Sequence, residues 1–232
     1  MAVPTDSDDT FLREVDENLR RDQLRDWGRK YGGWLVAALV LFLAAVGGWL
    51  YWQERQRTAA AEDSEVLSQI YTDIGTGKMA TVPKRLDALA DDGKGAVRAT
   101  ALFTAAAVAL EQNDRATATA KYNAIAKDDD LAAPYRDLAL IRATSLEFDT
   151  IKPEQVIARM EPLAKPGNPW FGTAGELTAM ALIKQGKKSE AGRLFATIAA
   201  DRQAPPSIRT RAVQIAGSLG VDASASLAAI DQ

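Results

Sequence analysis

The sequence predicts an all-α protein in which a single N-terminal transmembrane helix is followed by an array of helical hairpins. Three observations predict this class: a long uncharged apolar run near the N-terminus, a recurrence of apolar positions at a spacing of 36 residues after it, and short polar breaks between the helical stretches. The chain has 232 residues, which is enough for one ordinary domain and additional segments.

The apolar run, YGGWLVAALVLFLAAVGGWLYW, occupies residues 31–52 and contains no charged side chain, although 25% of all residues are charged. As a helix, its 22 residues would rise about 33 Å, close to the ~30 Å hydrocarbon core of a bilayer. A cleaved signal peptide has a shorter apolar region, and a buried helix of a soluble domain is rarely apolar on all sides for this length. We therefore expect a permanent membrane anchor.

Aromatic and basic side chains flank the run at both ends, as is typical of residues that anchor a span at the membrane interfaces. These expected anchors are Arg29, Lys30, Trp34, Trp49, Tyr51 and Trp52. Basic residues crowd the N-terminal flank, whereas only Arg55 and Arg57 lie near the other end. Because Lys and Arg beside a span stay on the cytoplasmic side, we expect a cytoplasmic N-terminus and, in a bacterium, a periplasmic C-terminal region.

Residues 1–30 form an amphipathic arm in this interpretation. Phe11, Leu12, Val15 and Leu19 lie at helical spacing among charged residues, so we expect a helix from Thr10 to about Trp27. Two interpretations of the arm are open: a solvated helix next to the membrane, and a docking helix for a partner protein. The predicted division is therefore a cytoplasmic arm (1–30), a transmembrane helix (31–52) and an extracytoplasmic helical repeat domain (53–232).

The region after the span repeats a set of five apolar positions four times. The copies are Ile74, Val82, Leu86, Leu89 and Ala90; Leu110, Ala118, Tyr122, Ile125 and Ala126; Leu146, Val156, Met160, Leu163 and Ala164; and Ile183, Ala191, Phe195, Ile198 and Ala199. Within each copy a polar turn follows the first position, so each copy is helix, tight turn, helix. Such a pair buries its apolar face only by stacking on its neighbours, and the period is typical of tetratricopeptide-like arrays.

The segment between the span and the first turn contains no helix breaker. No Gly or Pro occurs between Gly48 and Gly75, and the apolar residues keep helical spacing. We therefore expect a nearly unbroken helix over residues 34–74.

The composition restricts the chemistry that the chain can perform. Cys and His are both absent, which excludes a thiolate nucleophile, a disulfide, a zinc site built from these residues and a His general base. The stretch GTGKM (75–79) lacks the spacing of a phosphate-binding loop, and the acidic turns at 91–95 and 127–131 lack that of a calcium loop. We expect no catalytic residue, no cofactor and no metal ion, and the net charge of −3 gives no reason to expect nucleic acid.

A protein-binding surface remains as the expected function. The first helix of each pair lines the concave face of a stacked array, and Phe103, Tyr135 and Phe148 lie on such helices. Trp170 and Phe171, in the stretch NPWFG at 168–172, follow a proline at a helix start where exposure is expected. For Phe103 and Phe148 the competing interpretation is burial in the core.

The arm FLREVDENLRRDQLRDWGRKYG (11–32), the single span and the Ala-rich helical array together resemble the YfgM family of ancillary SecYEG translocon subunits. The resemblance implies a bacterial inner-membrane protein whose periplasmic tetratricopeptide-like domain associates with the SecYEG channel and with the membrane-anchored periplasmic chaperone PpiD. It further implies a chaperone-like role in protein export, in which the protein assists newly translocated or unfolded proteins. The family has no catalytic residue whose role could be assigned to a position of this chain.

Two other functions stay open from the sequence. A similar array could serve as a periplasmic scaffold for envelope assembly or cell division. Alternatively, the N-terminal arm could capture a cytoplasmic partner and so regulate it.

Overall fold

The computed structural model describes the backbone of residues 6–229 and, with a few gaps, the side chains of residues 33–226. Every element in the described range is helical, which confirms the predicted all-α class. The helices are α1 (Asp6–Gly75), α2 (Val82–Asp92), α3 (Gly95–Glu111), α4 (Arg115–Ala126), α5 (Ala133–Glu147), α6 (Pro153–Met160), α7 (Phe171–Lys184), α8 (Lys188–Ala200) and α9 (Pro206–Ser218), followed by a 3-10 helix (Ser224–Ala229).

Helix α1 confirms the unbroken helix expected over residues 34–74, because it is assigned from Asp6 to Gly75. Within the described residues, the part that is long and apolar enough to cross a membrane is Val36–Arg55, which overlaps most of the predicted span. Trp34, Trp49, Tyr51 and Trp52 are all exposed, and the guanidinium of Arg55 lies 6.0 Å from the centre of the Tyr51 ring. The side chains of Arg29 and Lys30 lie outside the described residues.

The chain divides into two compact units, Met1–Ala61 and Glu62–Gln232, and the second unit holds the helical array. Residues 62–75 of α1 pair with α2, and the pairs α3/α4, α5/α6 and α7/α8 follow, with α9 and the 3-10 helix after the last pair. The sequence repeat is confirmed by burial. The third position of the four copies (Leu86, Tyr122, Met160 and Phe195) is at most 6% exposed and lies in a different hydrophobic cluster each time.

Alanines explain how the first helix of a pair can pack on two sides. On α3, Ala101 and Ala105 face the cluster that contains Leu86, while Ala99 and Ala106 face the cluster that contains Tyr122. A side chain of one carbon lets neighbouring helices approach closely, so that two cores can share one helix without voids. The second helices instead supply the large residues that fill each core.

The turns within the pairs follow from residues that tolerate left-handed backbone. Gly77, Asn113 and Gly186 occupy the turn of the first, second and fourth pairs with φ of 75°, 60° and 76°. Gly and Asn are the residues that adopt this region most readily. After the Asn113 turn, the Asp114 carboxylate accepts a hydrogen bond from the Thr117 N–H at 2.9 Å, which caps α4. Hydrogen bonds from the Thr117 side chain and backbone lower the pKa of Asp114.

The third pair departs from the repeat pattern at its second helix. Helix α6 ends at Met160, so Leu163 and Ala164 follow the helix instead of continuing it. Pro162 explains this end, because a proline has no N–H to donate to the carbonyl four residues before it and its ring clashes with that carbonyl. Leu163 is nevertheless 5% exposed and belongs to the same cluster as Met160, so the apolar pattern identified the core even where the helix stops.

Candidate partner-binding groove

An open groove of about 610 Å³ is formed by the first helices of the first three pairs and by one residue of α4. Its lining residues are Tyr71 and Ile74 of α1; Thr100, Phe103, Thr104, Ala107, Val108, Leu110 and Glu111 of α3; Tyr122 of α4; and Tyr135, Leu138 and Arg142 of α5. We call this surface the aromatic groove. Every lining residue except Tyr122 lies on the first helix of a pair.

Four aromatic rings line the aromatic groove, and contacts within the fold hold three of them in place. The ring centroids of Phe103 and Tyr122 are 5.7 Å apart with the planes tilted by 52°, within the range that favours aromatic pairs. The Tyr71 hydroxyl lies 3.2 Å from the Thr104 hydroxyl, and the Tyr71 side chain remains 48% exposed. The groove therefore offers preformed apolar surface, because few side chains need to be ordered when a partner binds.

The structure brings together two of the five residues that the sequence proposed for partner binding. Phe103 and Tyr135 are half-buried and line the aromatic groove. Phe148 and Trp170 are also half-buried, but they pack against the cluster that contains Met160. Tyr71, the most exposed ring of the aromatic groove, was missed. The sequence could have identified Tyr71 as a residue of the first helix, because it lies one helical turn before Ile74, the first position of the repeat.

The Phe148 ring is engaged by a cation of the next pair. The Lys184 ammonium lies 4.3 Å from the centre of this ring, and it donates hydrogen bonds to the Phe148 carbonyl at 3.1 Å and the Asp149 carboxylate at 2.8 Å. The bond from Lys184 lowers the pKa of Asp149. Phe148 thus contributes to the link between α5 and α7. This contact favours a structural role for Phe148 over the partner-binding role proposed from the sequence.

The expected exposure of Phe171 is wrong. Its side chain is 1% exposed and lies in the cluster that contains Phe195. The N-terminus of α7 is pressed against the last part of the array: a Cβ placed on Gly172 would lie 3.1 Å from the Ala204 Cβ, and one on Gly175 would lie 3.0 Å from the Ile198 Cδ1. Because α7 packs this closely, the Phe171 ring at its first position is buried. From the sequence alone, a position just after Pro169 at a helix start is expected to be exposed.

Arginines near the start of first helices form links that sequence reasoning did not find. The fourth residue of α3, Arg98, donates hydrogen bonds to the Ala90 carbonyl near the C-terminus of α2 and to the Asp128 carboxylate at 2.8 Å. The fourth residue of α9, Arg209, donates in the same way to the Ala199 carbonyl of α8 at 3.1 Å. A cation at a helix C-terminus satisfies unpaired carbonyls and the helix dipole, so these arginines join one pair to the next.

Comparison with known proteins agrees with this architecture. A family model described as "Tetratricopeptide repeat-like domain" matches residues 25–216, which is well over half of the chain. A curated protein from Haemophilus influenzae named "Ancillary SecYEG translocon subunit" is 26% identical over 109 residues, which cover 47% of this chain and 53% of the relative. The match thus spans about half the length of that relative. No solved structure gives a significant match to the chain. These findings confirm the resemblance drawn from the sequence.

Proposed function

Because the chain belongs to the tetratricopeptide repeat-like domain family, we propose that it is a non-catalytic, membrane-anchored adaptor that binds partner proteins beside a SecYEG translocon. The name of the Haemophilus influenzae relative supports the translocon as the place of action. The aromatic groove carries the binding part of the proposal, because an open, preformed aromatic surface on the first helices suits a protein partner better than a reaction.

The proposed topology is a single span of the bacterial inner membrane with the arm of residues 1–30 in the cytoplasm and the array in the periplasm. The exposed apolar side chains of Val36–Arg55 support the span, since that surface needs a bilayer or a partner to cover it. The basic residues before the span support the orientation. A reporter enzyme fused after Gln232 tests it: activity restricted to the periplasm supports the proposal, and activity in the cytoplasm contradicts it.

The proposed partners are the channel subunits and the periplasmic chaperone PpiD, with newly translocated proteins as clients. The full-length chain with an affinity tag, solubilised in mild detergent, should recover channel subunits and PpiD in immunoblots. A control chain lacking Asp6–Trp27 tests the regulator interpretation, because it keeps the anchors Arg29 and Lys30 while a partner of the arm would be lost from it. Recovery of envelope-assembly or division proteins without channel subunits would contradict the proposal and support the scaffold interpretation.

A further inference from the structure

Two charged side chains line the aromatic groove, and neither has a hydrogen-bond or ion-pair partner within the described part of the chain: Arg142 of α5 and Glu111 of α3. The arginines that bridge helices elsewhere in the array are paired; examples are Arg85 with Asp73, Arg159 with Glu147, and Arg211 with Glu176. The Arg142 guanidinium is therefore available to a molecule that enters the groove.

The remaining walls of the aromatic groove are largely apolar, with Phe103, Leu110 and Leu138 among them. Its volume of about 610 Å³ lies within the ~300–1,000 Å³ of sites that enclose a drug-sized ligand. For a polypeptide this space corresponds to a few consecutive residues. An occupant of this size must bury bulky apolar side chains to gain from the rings and must satisfy the guanidinium that it covers.

From this arrangement we infer that the aromatic groove takes a short segment of a partner polypeptide with aromatic or large aliphatic side chains next to one acidic residue, whose carboxylate pairs with Arg142. The inference rests on the proposed function, since it names the partner chemistry of the same groove. A guanidinium binds a carboxylate through two parallel hydrogen bonds and stacks on aromatic rings, so it recognises such a segment better than a basic one. Glu111 lines the same groove, so a version of the segment with a basic residue in place of the acidic one is the necessary comparison.

The size of the expected preference follows from the exposure of Arg142. The side chain belongs to the exposed class, and ion pairs at exposed sites are screened by solvent. We therefore expect the acidic residue to improve the dissociation constant about two- to five-fold, with the apolar side chains providing most of the affinity.

The test measures binding of dye-labelled peptides to the full-length protein in detergent micelles by fluorescence anisotropy. The peptides are Gly-Phe-Leu-Asp-Phe-Gly amide and its versions with Asn or Lys in place of Asp. Asp and Asn are nearly equal in size and differ in charge, and Lys reverses the charge. The wild-type protein should bind the Asp peptide about two- to five-fold more tightly than the Asn peptide. Arg142→Gln should remove this preference. Arg193→Gln, an exposed arginine of α8 outside the aromatic groove, should retain it.

Three outcomes overturn the inference: no peptide binds the wild type, the three peptides bind equally, or the preference survives in Arg142→Gln. Equal thermal midpoints of the wild type and both variants show that the comparison concerns folded protein. The two proposals fail separately. If the purification recovers channel subunits but the peptides show no charge preference, the proposed function stands and the inference about the groove fails. If the peptides show the preference but no channel subunit is recovered, only the inference about the groove stands.

Discussion

The two halves of the array are built from the same hairpin but place their aromatic rings differently. In the first half, residues 62–147, the rings of Tyr71, Phe103 and Tyr135 line an open groove. In the second half, residues 148–229, Phe171 and Phe195 are each 1% exposed and fill a core with residues of α9. Both halves have buried cores, as Leu86 and Tyr122 show for the first, but the first half also presents aromatic surface. This is possible because each pair needs only its neighbours to bury its apolar face.

The largest expected effect is the difference in stability between losing a buried ring of the second half and losing a groove ring of the first. Phe195→Ala removes a fully buried ring, so the free energy of unfolding should fall by about 3–5 kcal/mol. Tyr71→Ala removes a half-exposed ring and should change it by no more than ~0.5 kcal/mol. Urea unfolding of the full-length protein in micelles, followed by circular dichroism, measures both. Similar losses for the two variants would contradict the burial of Phe195 in a core and the exposure of Tyr71 in the groove.

A pair of glycine substitutions tests how tightly the second half is packed. A Cβ on Gly192 of α8 would lie 2.7 Å from the Val221 Cγ2 and 3.3 Å from the Leu219 Cβ, so Gly192→Ala should destabilise the protein by about 1–3 kcal/mol. Gly217 of α9 has no such neighbour within 4 Å, and Gly217→Ala should stabilise the helix by about 0.4–1 kcal/mol. Thermal unfolding of both variants gives the comparison, and a stabilising Gly192→Ala would show that residues 219–221 do not pack on α8 as described.

A pH-dependent effect is expected in the first half, where polar links join the pairs. The hydrogen bond from Arg98 holds the pKa of the Asp128 carboxyl below its ordinary value of about 3.9. The folded protein thus binds fewer protons near pH 4 than the unfolded chain. The contribution of Asp128 to stability is complete above the unfolded pKa and is lost as the pH falls through the folded one.

Asp128→Asn should therefore lower the free energy of unfolding by roughly 1 kcal/mol at pH 7. The loss should be smaller at pH 3, which lies below the unfolded pKa, so that folding with an ionised Asp128 must release a proton. Asp129→Asn in the same turn is the matched control, because the Asp129 side chain is 93% exposed in its pair with Arg136 and such pairs contribute little. Urea unfolding at both pH values measures the difference. A loss in Asp128→Asn that is equal at pH 3 and pH 7 would contradict the ionic origin.

Sequence periodicity predicted the cores well and the exposed surface less well, for a physical reason. The apolar positions of the second helices identified Leu86, Tyr122, Met160 and Phe195 as equivalent, and all four are buried. Burial along one helix face depends on local spacing, which a sequence displays directly. Whether Phe103 or Phe171 faces outward depends on which helices pack beside it, and those neighbours are known only from the assembled array. The link from Arg98 to Asp128 joins residues 30 positions apart, so local patterns carry no signal for it.

The adaptor proposal is tested most directly by photo-crosslinking from two positions of the full-length chain in intact cells. In one chain p-benzoylphenylalanine replaces Tyr71, an exposed ring of the aromatic groove, and in the other it replaces Arg193, an exposed residue of α8. The account predicts crosslinks to channel subunits, the chaperone or translocating proteins from position 71 and few or none from position 193. Crosslinks of equal yield from both positions, or from position 193 alone, would contradict it.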